Sequence, residues 1–292
     1  MFRTTFRLIT LITLLIGFST SAFSQDLKIG VLAPRGELKA KVRWQEFGDY
    51  LTREIGSGVT IVPLPPAQVI DAVSQGKVNY LLSHSPHSVF VQEKLAGKIL
   101  ATLNTKAGPR FGGVIVAKKG SGIQKAEDLR GKSVMSLKFK AAAGAYIFQT
   151  YHLMQKGIDP HKDFGSIKQG KKQDDLVLAV KNGLIDAAFV RTGLLENMQR
   201  EGKIKLEDFE IVDQRSGDDF PLVRSTELYP EWCFSALPQA NSEHTASISA
   251  ALFKLSADMP AAQKARIKGF VQPVELEGIK QALKLLRIAP YS

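Results

Sequence analysis

Short apolar runs of strand length alternate along this chain with stretches whose apolar residues recur every three or four positions, the patterns of strands and amphipathic helices in turn. DLKIGVL (26–32) reads as a first strand, closed by the turn residues Ala33-Pro34-Arg35-Gly36. Residues 39–54 place Val42, Phe47, Tyr50 and Leu51 at helical spacing, with Ile55 next and Gly56 as a left-handed stop. VTIVPL (59–64) is a second strand, ended by Pro65-Pro66 ahead of a helix over 67–75. VNYLL (78–82) is a third; its carboxyl end delivers Ser83-His84-Ser85, and Pro86 suits the first turn of the helix that follows. Three strand-then-helix units in succession predict a parallel sheet flanked by helices.

The pattern changes at FGGVIVA (111–117), a glycine-led apolar run that reads as a crossing, and a second α/β series opens with EDLRGKSVMSL. It predicts a strand over 133–137 and a helix over 141–156, ended by Gly157 and Pro160. Next comes QDDLVLAVKNGLIDAAFVRTGLLE (173–196). Asp174 or Asp175 can cap a helix with Leu176, Val177 and Val180 on one face, Asn182-Gly183 ends it, and LIDAAFV makes a strand with Arg191-Thr192 directly behind. FEIVDQR (209–215) reads as the return crossing, and helices near 245–256, 261–270 and 276–286 complete the first unit. The expected architecture is α/β in two lobes, 25–110 with 216–292 and 111–215, behind a leader over 1–24. In open α/β sheets ligands bind outside the carboxyl ends of the strands, which is where Arg191 and Thr192 stand.

The leader is read from Arg3 and Arg7, an apolar core from Leu8 to Phe18, and the small residues Ala22-Phe23-Ser24. That core is short for a membrane span of about 20 residues, so a cleavable export signal is expected. The single cysteine, Cys233, allows no intrachain disulfide, which fits a periplasmic protein with a core large enough to need none. The formal charge is +11, with two of the arginines in the leader. It favours anionic ligands or an anionic membrane surface; without a basic stripe interleaved with aromatics, nucleic acid is not expected.

Several strings carry a family resemblance. KIGVLAPRG, the strand ending in Ser83 to Ser85, AEDLRGKSV, GIDPHKDF and DDLVLAVKNGLIDAAFV resemble the phosphonate-type (phosphate, phosphite and phosphonate) periplasmic substrate-binding proteins of ABC transporters. FGGVI, GIDP, VRTGLLE, EGKI, STELYPEW and LLRIAPY look still more like the periplasmic sensor domains of tetrathionate-type histidine kinases. The resemblance implies a two-lobed periplasmic-binding-protein type II fold with two crossover strands. It also implies a monomer that captures a small anion between its lobes for an ABC-transporter permease, or that reports it to a membrane histidine kinase. Departures fall in the presumed cleft. The serine- and threonine-rich turn that holds phosphoryl oxygens in phosphonate binders is here Ala141-Ala142-Ala143-Gly144, so neither phosphonate nor tetrathionate is carried over as the ligand.

A binding cleft for an oxyanion needs directed donors and no nucleophile. The strand-end positions nominate Arg35, Ser83, His84 and Ser85 in the first lobe, and Ser136, Lys138, Tyr146, Arg191 and Thr192 in the second. Arginine can grip an oxygen pair bidentately, and two opposed positive walls would close only on an anion. Each of these residues also has a bland reading: a solvated loop charge for Arg191, a helix cap for His84, a core aromatic for Tyr146, Trp44 or Trp232. Arg191→Ala is expected to weaken binding and leave the empty protein's stability nearly unchanged. His84 and His87 have no third ligand at matching spacing, so no metal and no cofactor are expected. No Ser/His/Asp, Cys/His or paired-carboxylate arrangement is recognisable, and no enzyme activity is expected.

Overall fold

The computed structural model describes residues 26–217 and 219–292; the leader expected over 1–24 lies outside them. Chain order begins β1 (Leu27–Leu32), α1 (Glu37–Ile55), β2 (Val59–Leu64), α2 (Val69–Ser74), β3 (Tyr80–Ser83) and α3 (Ser85–Leu95). β1 pairs parallel with both β2 and β3, the arrangement that three βα units impose. β4 (Lys98–Asn104) then leads to β5 (Arg110–Phe111) and β6 (Gly113–Lys118). The second series is β7 (Ser133–Ser136), α4 (Ile147–Gln155), β8 (Ser166–Gln169), α5 (Gln173–Lys181), β9 (Ala187–Arg191), α6 (Leu194–Arg200) and β10 (Phe209–Ile211). The chain returns through β11 (Tyr229–Pro230) and β12 (Cys233–Ala236), and ends with α7 (Ser242–Lys254), α8 (Pro260–Ala265), β13 (Gly269–Val271) and α9 (Glu277–Leu285).

Two sheets result, one ordered β13-β4-β12-β3-β1-β2 and the other β10-β6-β9-β7-β8, and a two-stranded ribbon joins them. The ribbon is β5 against β11, with Tyr229 opposite Phe111 and Pro230 opposite Arg110, so the outgoing and returning crossings are hydrogen-bonded to each other. FEIVDQR, expected as the return crossing, begins as β10 on the edge of the second sheet. The crossing itself comes later, at β11.

The stripe α1 buries is Ala40, Trp44, Phe47, Gly48, Tyr50 and Leu51, not one through Val42, which is 55% exposed. Val42 stands five residues before Phe47, about 140° around the helix from it, and cannot share its face. Trp44 and Trp232 stack in the first core, their centroids 6.3 Å apart, so both belong to packing. α8 stops at Ala265 because Arg266 takes a left-handed φ of 58°, and Gly269–Val271 then pairs with β4 as a strand where helix was expected. A second core, with Val89 of α3, Phe148 of α4, Cys233 of β12 and Ile279 and Leu283 of α9, spans the junction of the two sheets. Burial pushes the Cys233 thiol up to about 11, leaving it a small apolar filler.

Candidate functional site

At the carboxyl end of β3 the chain turns directly into α3, with His84 as the residue before the first turn and Pro86 inside it. The Ser83 hydroxyl lies 2.8 Å from Nδ1 of His87, and the two imidazoles stack with centroids 4.0 Å apart. His84 Nδ1, Ser85 Oγ and Ser88 Oγ are buried and have no hydrogen-bond partner among the described residues. Burial pushes the His84 imidazole down to about 4 and His87 well below its ordinary value, so both rings are neutral at pH 7. His84 Nδ1 and Ser85 Oγ are thus unused at the amino end of an 11-residue helix, where free backbone N–H groups and the helix dipole favour an anion, while the Ser88 hydroxyl lies beside the Cys233 thiol.

The second half of the site is an arginine junction. Arg191 is the last residue of β9, and the Gln173 side chain at the start of α5 accepts its backbone N–H at 2.7 Å. Its guanidinium lies over Phe111, with Cζ 4.7 Å from the ring centroid, and donates through Nη2 to Glu231 Oε1 at 2.8 Å. Glu231 sits between β11 and β12, at the same end of the first sheet as Ser83, which faces Cys233 in register. The ion pair therefore ties the tip of the second sheet to the rim of the first.

Arg43 completes the junction. Its Nε donates to the Ala265 carbonyl at 2.9 Å, and its guanidinium lies over Trp44. Burial first, then the neighbouring charges of Arg191, Arg266 and Arg35, press its ionisation down to about 10, and Glu231 opposes them. Arg191 alone of these is in contact with Glu231, while Arg35 and Arg266 stand exposed nearby. The expected pair of opposed positive walls is corrected here: a carboxylate from one side already occupies the arginine of the other.

The remaining nominated residues are used differently. Thr192 Oγ1 accepts the Gly112 N–H at 3.2 Å, clipping the outgoing crossing to β9. Ser136 is fully buried and donates to the Leu137 carbonyl, Lys138 is exposed, and the Tyr146 hydroxyl is hydrogen-bonded with His161 Nε2 at 2.8 Å. Asp174 and Asp175 cap nothing. Lys172 holds the cap position without a side-chain bond, and both acids lie in the first turn, where the dipole favours them.

At the end of the Ala141–Gly144 turn a side chain has no room. A Cβ there would stand 2.9 Å from the Phe111 ring, 3.0 Å from Arg191 Cβ and 3.2 Å from the Gly112 carbonyl. This end of the turn is packed against the outgoing crossing. Gln149 braces the same wall, its amide nitrogen reaching the carbonyls of Gly144 and Val190 at 2.8 and 2.9 Å. Gly144→Ser is expected to cost about 1–3 kcal/mol by overpacking and to displace Arg191. Urea unfolding checks the first effect and oxyanion titration the second; a variant unchanged in both would leave the close approach without consequence.

Arg43, Arg266 and Glu231 were not nominated from the sequence. Arg43 carried a usable signal: it falls on the stripe Ala40-Trp44-Phe47, where an unexplained charge on an apolar face marks a functional candidate. Glu231 is likewise an acid inside the apolar run LYPEWCF. Among the described residues no group of three or more His, Cys, Asp or Glu could hold a metal ion, and no helix is long and apolar enough to cross a membrane. The arrangement offers hydrogen-bond donors and positive charge to a small oxyanion.

Comparison with known proteins bears on what such a site serves. The model of the periplasmic substrate-binding proteins of phosphonate ABC transporters matches residues 29–275. The tetrathionate sensor histidine kinase TtrS of Salmonella typhimurium is 33% identical over 242 residues, covering 81% of this chain but 40% of that protein. The chain thus spans well under half the length of that curated relative. Among solved structures, PhnD1 from Prochlorococcus marinus in complex with methylphosphonate superposes with a TM-score of 0.71 at 15% identity, covering 89% of this chain and 98% of that one. XAC2383 from Xanthomonas citri bound to ATP gives 0.72, again at 15% identity and with the same coverage of each chain. At those identities the superpositions speak for the fold alone.

Proposed function

Since the chain belongs to the family of periplasmic substrate-binding proteins of phosphonate ABC transporters, we propose that it captures a small oxyanion and delivers it to an ABC-transporter permease. On this reading residues 25–110 with 216–292 form one lobe, 111–215 form the other, and the guest lies between them. Export through the leader brings the protein to the periplasm, and binding involves no chemical step. The observation that carries the proposal is the arginine junction, where Arg191 is paired with Glu231 and Arg43 beside it feels the like charges of Arg191, Arg266 and Arg35 as well as burial. An excess of guanidinium in a partly desolvated place is relieved by a negatively charged guest. Ser85 and His84 at the start of α3 supply unused polar atoms at the same end of the first sheet.

The test is a thermal-shift screen of phosphate, methylphosphonate, sulfonates, thiosulfate, tetrathionate and simple carboxylates. A ligand present at 100 times its dissociation constant adds about 2.7 kcal/mol, and one oxyanion should do so at micromolar concentration. No shift with any anion would remove the proposal. The likeness to a sensor kinase favours a second reading, in which the loaded protein is the input to a membrane histidine kinase. Phosphorylation of a cognate kinase that depends on both this protein and the oxyanion would select it over transport.

A further inference from the structure

The loops that follow β7 and β8 lie side by side, because the two strands pair in parallel up to Ser136 opposite Gln169 and the Gln169 side chain accepts the Phe139 N–H. Together these loops and the edge strand β8 expose Lys138, Lys140, Lys168, Lys171 and Lys172. None of these lysines is within ion-pair distance of an acid among the described residues, whereas Lys119, Lys203 and Lys254 elsewhere on the surface are paired. Of the acids that follow on α5, Asp174 is turned to Lys203, and Asp175 alone remains beside the patch.

We infer that this lysine patch, on the edge of the second sheet, docks the protein on an anionic phospholipid surface. The residue type selects the partner. Protein–protein interface cores are depleted in lysine and enriched in arginine and aromatics, and the patch contains no arginine. A fluid headgroup layer asks only for mobile point charges, which lysines on loops supply. Held at such a surface, the protein searches for its membrane partner in two dimensions, whichever oxyanion it carries.

The experiment is co-sedimentation of the ligand-free protein with phosphatidylcholine vesicles, with and without phosphatidylglycerol, at low and high salt. Each surface lysine contributes about 1 kcal/mol near an anionic bilayer, so Lys168→Glu/Lys171→Glu/Lys172→Glu should lower the partition coefficient by on the order of a hundredfold. The control Lys77→Glu/Lys106→Glu/Lys264→Glu makes the same change in net charge at exposed lysines outside the patch, and should lose far less. Equal losses in the two variants would reduce the effect to net charge and overturn the proposal. So would a patch variant that still binds anionic vesicles, an outcome that would leave the lysines to an acidic protein surface. No oxyanion is present in the assay, so its failure and the failure of the ligand screen are separate results.

Discussion

Glu231→Gln is expected to lower the stability of the ligand-free protein by about 2 kcal/mol and to raise its affinity for oxyanions. The Glu231 side chain is 4% exposed, and one of its oxygens receives the Arg191 guanidinium at 2.8 Å. Removing one partner of a buried pair costs about 3–5 kcal/mol, and we discount that because the Arg191 side chain is 38% exposed and water can screen it. Glutamine keeps the shape and one acceptor but withdraws the negative charge that opposes the lowering of Arg43. Arg191 then loses its charged partner and Arg43 the counter-charge beside it, and a sulfate or phosphate ion can take the place of the carboxylate. Urea unfolding with and without sulfate reads both effects: the variant should be weaker in plain buffer and should recover more than the parent when sulfate is added. A Glu231→Gln protein as stable as the parent and indifferent to sulfate would show that the pair carries no stability and does not compete with ligand. The same geometry revises the expectation for Arg191→Ala. That substitution strands a buried carboxylate, so the empty protein loses stability as well as its grip on the guest.

The parts legible in the sequence were those whose cause is local. β1, β2, β3 and β9 are compact apolar runs with glycine or proline at their ends, and Gly56, Gly157 and Gly183 all take the left-handed conformation that stops a helix. Where a stop is made without glycine the pattern misleads: Arg266 ends α8 at a positive φ, and the helix expected over 261–270 is cut in half. β4 pairs with β12 and β13, more than a hundred residues downstream, and β8 is a four-residue edge strand with one face half exposed; neither pairing is written in its own segment. The site divides in the same way. Arg191 and Ser83–Ser85 are nominated because ligands of open α/β sheets meet the strand tips. Glu231, Arg43 and Arg266 become neighbours only when the two crossings pair and α8 packs on α1, long-range events with no short motif.

The stacked histidines predict how the protein meets acid. His84 is held down to about 4 by burial, against an ordinary 6.5, and His87 is lowered in the same direction by burial and by His84. Between those values the unfolded chain takes up protons that the folded one refuses. Stability is therefore whole above pH 6.5 and drains as pH falls toward 4, by at most about 3 kcal/mol for His84. His152 is lowered too, mainly by burial against the counterpull of Asp213, and adds to the slope in the same window. The carboxylates of Asp128, Asp186 and Asp213 are lowered by their hydrogen bonds, so their contribution persists to about pH 4 and is lost only below it. The two windows separate. Urea unfolding between pH 7 and pH 4.5 should show a steep loss in the parent, and His84→Asn/His87→Asn should keep only the shallower slope that His152 supplies. An unchanged slope in the double variant would mean that the pair is solvated or already charged. Neutral imidazoles beside Ser85 also leave the attraction for an anion to the arginines, so oxyanion affinity should stay flat from pH 8 to pH 6.5, and a rise across that interval would put histidine charge into the site.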